Sequence, residues 1–151
     1  MKQLIIPIGP AGCGKSSFYN NNFYLMDVCR ISADDIRFKL LDYKKTGVDF
    51  DQSREYIVWG SVWEAFISHI NKENSIYLDA TNLTQKIREP FRQIAKQKGY
   101  DIKIIYFKTN LYNCLTQNML RDRHVNEKVI ARQFLALEPP EVWEGAITEV
   151  F

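Results

Sequence analysis

The stretch LIIPIGPAGCGKS at residues 4–16 decides the fold, because it joins an apolar run to a glycine-rich loop. Residues 4–8 predict a buried strand, and residues 9–16 fit the pattern G-x-x-x-x-G-K-S at every defining position. Glycines let consecutive backbone N–H groups turn inward around an anion, and the helix predicted at 14–21 adds the positive end of its dipole. The spacing predicts a phosphate-binding loop; the alternative is a glycine-rich turn that binds nothing.

Two side chains of this loop carry chemistry. Lys15 can reach the β- and γ-phosphates of a nucleoside triphosphate, and the Ser16 hydroxyl can ligate Mg²⁺. Cys13 is favoured as a small packing residue over a reactive thiol. The residues predicted to bind the nucleotide are Gly9, Pro10, Ala11, Gly12, Cys13, Gly14, Lys15, Ser16 and Ser17.

Size and composition set the broad class. The chain has 151 residues, with no linker or repeat, so we expect one domain over residues 1–151. Its 20 basic and 18 acidic residues give a formal net charge of +2, which neither requires nor excludes nucleic acid. Three cysteines lack zinc or redox spacing, and no apolar run approaches the ~20 residues that span a bilayer. We expect a cytoplasmic protein with no structural metal and no membrane contact.

Strand-like and helix-like segments alternate along the chain. Strands are predicted at 3–8, 25–31, 76–79 and 102–107, and helices at 14–21, 33–44, 52–71, 84–98, 110–120 and 127–137, with Asp51 and Thr84 as N-caps. This alternation predicts an α/β fold with a parallel central sheet of about four strands and helices on both faces. Pro7 is awkward in a central strand, and a local bulge would account for it.

The segment RISADDIR at residues 30–37 follows the second predicted strand. Phosphoryl transfer to a hydroxyl needs a proton acceptor and cations that neutralise the moving phosphoryl group. Asp34 is the candidate acceptor and Arg37, three residues on, the candidate phosphate contact. The alternative is that Ser32 caps a helix whose positive end suits the aspartates. Beside the phosphate-binding loop, the functional interpretation is favoured.

Two further polar segments follow later elements. Asp79 ends the third predicted strand, where it could orient Mg²⁺ or hold Arg37 in place. Thr81 and Asn82 either contact the acceptor or form a polar turn. The segment NMLRDRHV at 118–125 is interpreted as an arginine lid over the triphosphate, the alternative being a solvated helix end.

Together these segments resemble the 5′-hydroxyl polynucleotide kinases of phages and RNA-repair systems. The matching stretches are GPAGCGKSS at 9–17, SADDIR at 32–37, LDATN at 78–82, and NMLRDRHV at 118–125 with the pair at 129–130. The resemblance implies a P-loop phosphotransferase fold with a four-stranded parallel sheet and an arginine lid. It also implies ATP and Mg²⁺ as cofactors and the 5′-hydroxyl end of RNA or DNA as acceptor.

The resemblance implies a role for each matched residue. Lys15 and Ser16 would handle ATP–Mg²⁺, Asp34 would be the general base, and Arg37 would contact the acceptor phosphate. Arg121 would be the lid arginine on the ATP phosphates. Gln117 and Asn126 depart from the family pattern, so Arg123 stays open as an alternative to Arg121. The predicted substrate-binding set is Asp34, Arg37, Asp79, Thr81 and Asn82.

The leading hypothesis is an ATP-dependent polynucleotide 5′-kinase that works in end healing, in the host cytoplasm if a phage encodes it. One alternative is a kinase of the same fold that acts on the hydroxyl of a sugar, nucleoside or antibiotic. Another is a nucleotide-binding regulator without transfer activity, against which the pairing of Asp34 with Arg37 argues.

Overall fold

The computed structural model describes residues 1–41 and 52–151, so the predicted Asp51 cap and the end of the helix predicted at 33–44 lie outside the described residues. No helix in those two ranges is both long and apolar enough to cross a membrane. The strands are β1 Gln3–Ile8, β2 Val28–Ser32, β3 Ser75–Asp79, β4 Asp101–Phe107 and β5 Ala146–Val150. The helices are α1 Lys15–Asn22, α2 Ala33–Leu41, α3 Glu55–Asn71, α4 Gln85–Gln97, α5 Leu111–Met119 and α6 Glu127–Ala136, with short 3₁₀ turns at Gln52–Arg54 and Val142–Glu144.

Within the described ranges, five strands form one sheet in the order β2-β3-β1-β4-β5, and every neighbouring pair is parallel. The predicted parallel α/β fold is confirmed, but the sheet has five strands rather than about four. The additional strand is β5, which pairs with β4 from Lys103↔Ala146 to Phe107↔Val150. Its residues are exposed or half-buried, so it lacks the continuous apolar run that marks the inner strands.

Helices cover both faces of the sheet, as predicted. On one face α3 and α4 pack over β1 and β3, and the four-residue spacing of Val58, Val62, Phe66 and Ile70 places all four in the core. On the other face α1, α5 and α6 enclose a second cluster around Tyr77. Because helices cover both faces, the expected place for a ligand is at the carboxyl ends of the strands.

Local hydrogen bonds explain where α4 and β2 begin. The Thr84 hydroxyl accepts the N–H of Ile87 at 3.3 Å, so the predicted N-cap of α4 is confirmed. β2 begins at Val28 rather than at the predicted residue 25. The reason is a turn, in which the N–H of Met26 donates to the carbonyl of Phe23 at 3.0 Å and that of Val28 to Met26 at 2.8 Å. The apolar residues before β2 are therefore exposed in a turn.

Pro7 lies in the central strand without a bulge between β1 and β4. The register with β4 runs one-to-one through Pro7↔Ile105, so the expectation of a bulge is wrong there. The carbonyl of Pro7 accepts a hydrogen bond from Asn82 Nδ2 at 2.8 Å, after β3 has ended. A strand residue points its N–H and C=O to the same neighbour, so the missing N–H of Pro7 faces that side, where Asn82 supplies the contact.

A buried ion pair fastens the C-terminal segment to α4. The guanidinium of Arg88 donates to both carboxylate oxygens of Glu144 at 2.7 and 3.0 Å, and both residues are fully buried. Arg92 donates to the carbonyl of Glu144 at 2.8 Å, and the N–H of Glu141 donates to its carboxylate at 2.8 Å. Burial is the largest single influence and opposes ionisation. The Arg88 hydrogen bonds, the Glu141 N–H and the charges of Arg88 and Arg92 together outweigh it and hold the pKa of Glu144 below its ordinary value of 4.5.

Replacing Glu144 with Gln leaves the Arg88 guanidinium buried without its counter-charge. We expect the free energy of unfolding at pH 7 to fall by about 3–5 kcal/mol, measured by urea denaturation. In the wild type the contribution of the carboxylate is present above pH 4.5 and is lost as pH falls through its lowered folded pKa. Glu144→Gln should lack this part of the acid dependence.

The matched control is Glu149→Gln, because Glu149 forms an exposed pair with Lys108 at 3.6 Å. A surface pair of this kind contributes about 0–1 kcal/mol. Equal losses in the two variants would contradict a stabilising role for the buried pair.

Candidate active site

The predicted site residues meet at the edge formed by the carboxyl ends of the strands. The phosphate-binding loop, residues 9–16, follows β1, and Asp34 lies just after β2, while Asp79 ends β3. The arginine segment, residues 120–126 between α5 and α6, reaches the same edge through contacts with α2. Because these elements converge after parallel strands, residues distant in sequence form one site.

The phosphate-binding loop is held by its own lysine and by two neighbouring elements. Lys15 is buried, and its Nζ donates to the carbonyls of Gly9 at 3.0 Å and Pro10 at 2.6 Å. From β3, the Tyr77 hydroxyl donates to the carbonyl of Lys15 at 2.7 Å. From α6, Gln133 Oε1 accepts the N–H of Ala11 at 2.9 Å. The loop is therefore ordered, with a cation along its inner side.

Gly12 is required by both conformation and space. Its φ is 82°, in the left-handed region, and a Cβ there would overlap the carbonyl oxygen of Cys114 on α5. Cys13 belongs to the apolar cluster beneath this contact, in keeping with its expected packing role. The pKa of the Cys114 thiol is raised to about 11, mainly because the group is buried and further because the thiol of Cys13 is close.

Asp79 is tied to the loop and to an arginine that the sequence analysis did not select. The Ser16 hydroxyl donates to Asp79 Oδ2 at 2.8 Å. The guanidinium of Arg30 lies 2.7 Å from the same oxygen and donates to Ser16 Oγ at 3.1 Å. Within the described ranges, Asp79 pairs with Arg30, whereas Arg37 pairs with Asp34 and Glu55. The direct pairing of Asp79 with Arg37 considered above is not found among these residues.

The carboxylates around Arg30 stabilise its charged form. Burial works against the charged form of Arg30, but Asp79 and then Asp35 outweigh it and raise the pKa of Arg30 above its ordinary value. A serine hydroxyl beside a carboxylate is a hard oxygen pair of the type that suits Mg²⁺. Ser16 and Asp79 therefore fit the ion that the loop pattern implies.

Asp34 and Arg37 form the predicted pair on α2, and Glu55 completes it. Arg37 is buried, forms a close ion pair with Asp34, and donates to both oxygens of Glu55 at 2.9 and 2.7 Å. The Asp34 side chain remains 45% exposed, so its carboxylate is accessible. No sequence pattern indicated Glu55, because an acidic residue in the first turn of a helix is ordinarily explained by the helix dipole.

The arginine segment is closed by one side chain and paired with α2. Asn118 Nδ2 donates to the carbonyl of Val125 at 2.7 Å, and the N–H of Val125 donates to Asn118 Oδ1 at 2.9 Å. Arg121 lies 3.7 Å from Asp34 Oδ2, and Arg123 forms a close ion pair with Asp35. The segment is therefore attached to the site, which its interpretation as a solvated helix end does not explain.

Asn82 and Thr81 connect β3 to the loop. Asn82 is buried with φ at 49°, and its Nδ2 contacts the carbonyls of Pro7, Leu78 and Ala80 at 2.8–3.1 Å. The carbonyl of Thr81 accepts the N–H of Gly9 at 3.1 Å. Asn82 thus has its amide nitrogen committed to the backbone, whereas the Thr81 side chain is half-buried at the edge.

A parallel α/β sheet with a phosphate-binding loop after its central strand and a serine–aspartate contact beside it defines a P-loop kinase-type fold. The chain belongs to the AAA_33 family, described as an AAA domain, whose model matches residues 4–140.

Solved structures share this fold at low sequence identity. A chain of the Pnkp1/Rnl/Hen1 RNA repair complex aligns with a TM-score of 0.72 and 18% identity, over 90% of this chain and 44% of that one. A sugar kinase from Janibacter sp. HTCC2649 aligns with a TM-score of 0.72 and 13% identity, over 99% and 85%. Kti12 from Chaetomium thermophilum, in complex with ADP-AlF3, aligns with a TM-score of 0.71 and 13% identity, over 97% and 88%.

Substitution of Gly12 by Ala should destabilise the protein, because the new methyl group meets the Cys114 carbonyl and the left-handed conformation becomes strained. We expect a loss of about 1–3 kcal/mol in the free energy of unfolding, measured by urea denaturation. The control is Gly60→Ala, since Gly60 lies within α3 with open space around its Cα. Gly60→Ala should stabilise by about 0.5–1 kcal/mol. A neutral Gly12→Ala would show that the loop can shift away from α5.

Proposed function

We propose that this protein is an ATP-dependent kinase that phosphorylates the 5′-hydroxyl end of RNA or DNA. The observation that carries the proposal is the pair formed by Asp34 and Arg37 at the end of β2, beside the phosphate-binding loop. Asp34 is accessible to a hydroxyl group, and Glu55 holds Arg37 by accepting hydrogen bonds from its Nε and Nη2. A base and a fixed cation, side by side, suit a hydroxyl that is attached to a phosphate-bearing chain.

The donor half of the site consists of Lys15, Ser16 and Asp79. Lys15 would exchange its contacts with the loop carbonyls for the β- and γ-phosphates of ATP. Ser16 and Asp79 would hold Mg²⁺, which when bound neutralises phosphate charge and orients the triphosphate. Backbone N–H groups of the loop and the start of α1 complete the phosphate contacts.

In the acceptor half, Asp34 accepts the proton of the 5′-hydroxyl as that oxygen attacks the γ-phosphorus. The new O–P bond forms, the bond from the γ-phosphorus to the bridging oxygen breaks, and ADP leaves. Arg121, 3.7 Å from Asp34, is near enough to neutralise charge on the transferring phosphoryl group. Arg37 contacts the neighbouring phosphate of the acceptor, and Thr81 lines the route by which the acceptor enters. Asn82 supports the backbone at this end of the sheet.

A second candidate is a kinase that acts on a small-molecule hydroxyl. Two observations favour it. The chain covers 85% of the Janibacter sugar kinase but 44% of the RNA-repair chain, at the same TM-score of 0.72. The formal net charge of +2 also provides no general excess of cations for a polyanion.

The deciding experiment incubates the protein with γ-³²P-ATP and Mg²⁺ and compares four oligonucleotides, RNA and DNA, each with a 5′-hydroxyl or a 5′-phosphate. A parallel panel contains gluconate, simple sugars and nucleosides. We expect label on 5′-hydroxyl strands alone, at a rate that falls steeply with added salt. Label on a small molecule and on neither strand would replace the proposal with the second candidate. ATP binding without any labelled product would leave the regulator hypothesis.

Replacement of Asp34 by Asn keeps the shape of the side chain and removes its basicity. We expect kcat for the labelled acceptor to fall by about 10²–10⁴-fold, with ATP affinity nearly unchanged. The control is Asp101→Asn, the same change on an exposed aspartate at the opposite end of the sheet. If Asp34→Asn retains the wild-type rate, another group accepts the proton.

A further inference from the structure

We propose that the two arginines of the arginine segment have different tasks, and that Arg123 is a positioning residue. Arg123 docks the segment onto α2, and this docking leaves Arg121 as the arginine that faces the transferring phosphoryl group. The docking part concerns the protein alone, whereas the task of Arg121 rests on the proposed function.

Arg123 is fastened to α2 by two different contacts. Its guanidinium forms a close ion pair with Asp35 and lies over the ring of Phe38, 4.6 Å from the ring centroid. Asp35 and Phe38 are three residues apart, so they lie on the same side of α2. A planar guanidinium can pair with a carboxylate at its edge while it stacks on an aromatic face. Arg123 therefore acts as the attachment point.

Arg121 has the looser position. Its Nη2 lies 3.7 Å from Asp34 Oδ2, which is longer than a hydrogen bond, and its side chain is 31% exposed. This is the position that a charge-neutralising arginine needs, because it lies beside the candidate base and can turn toward a phosphate. The contacts of Arg123, in contrast, would have to break before it could serve a phosphate.

The segment is short and closed, so fixing one arginine restricts the other. Asn118 bonds both backbone groups of Val125, which closes the chain between them into a ring. Arg121 and Arg123 are two residues apart within that ring. Docking of Arg123 therefore limits where Arg121 can point.

The docking contact also extends to the phosphate-binding loop. Asp35 pairs with Arg30 at 3.2 Å as well as with Arg123. Arg30 in turn contacts Asp79 at 2.7 Å and Ser16 at 3.1 Å. The position of the arginine segment is thus linked by charged contacts to the side chain expected to hold Mg²⁺. Asp35 is the residue that connects Arg123 to Arg30 in this series of contacts.

The test uses millisecond hydrogen exchange of the arginine segment, residues 120–126, in the free protein, which requires no acceptor. Arg123→Gln and Asp35→Asn should each raise exchange severalfold, and the double variant should exchange no faster than the faster single variant. Asp122→Asn is the matched control for Asp35→Asn, because it makes the same charge change at an exposed residue next to Arg123. The segment in this variant should exchange as it does in the wild type. Arg121→Gln should also leave exchange unchanged.

A second measurement separates the two tasks by kinetics with the acceptor identified above. We expect Arg121→Gln to lower kcat by about 10²–10³-fold. Arg123→Gln should lower kcat about tenfold, and Arg123→Lys, which keeps the charge, should recover part of that loss. Wild-type exchange in Arg123→Gln, or equal loosening in Arg121→Gln, would overturn the docking role. If no 5′-hydroxyl strand is labelled, the proposed function fails while the exchange data still decide the docking role.

Discussion

The contact between the Asn82 amide and the backbone around it is the constraint on which the site depends. Pro7 cannot donate a hydrogen bond from the central strand, and the neighbouring strand β3 ends at Asp79. The Asn82 side chain connects the two through three carbonyls, one of them that of Pro7. The carbonyl of Asn82 itself accepts from Arg88 at 2.9 Å, and Arg88 is held by Glu144. The backbone before the phosphate-binding loop is thereby connected, through Asn82 and Arg88, to Glu144 in the C-terminal segment.

Charges at the site alternate in sign along two series of contacts, one through Asp34 and one through Asp35. The carboxylates are Asp34, Asp35, Glu55 and Asp79, and the guanidiniums that pair with them are Arg30, Arg37, Arg121 and Arg123. Such pairing keeps Arg30, Arg37 and Arg123 in place, because the desolvation of one charge is offset by its neighbour. Under the proposed function, an incoming phosphate would meet cations that are already placed by their carboxylate partners, which favours recognition by geometry over attraction at long range.

Sequence reasoning succeeded where a signal is local. The apolar run before Gly9, the four-residue spacing in α3 and the Thr84 cap each depend on residues close in the chain, and each is found as predicted. It failed where partners are distant. Arg30 is a single arginine in a strand, and its importance arises from Asp79, 49 residues later. Glu55, β5 and the pairing of Arg88 with Glu144 also depend on contacts that no pattern in the sequence encodes.

The hydrogen bond from Ala11 to Gln133 makes the Ala11 amide a spectroscopic probe of the distance between the phosphate-binding loop and α6. The Ala11 N–H in the loop donates to Gln133 Oε1 on α6, the helix that follows the arginine segment. Its NMR chemical shift depends on the length of that one hydrogen bond. A displacement of α6 relative to the loop by a few tenths of an ångström would therefore move a single backbone resonance, and the motion of the helix could be followed without a label on any side chain.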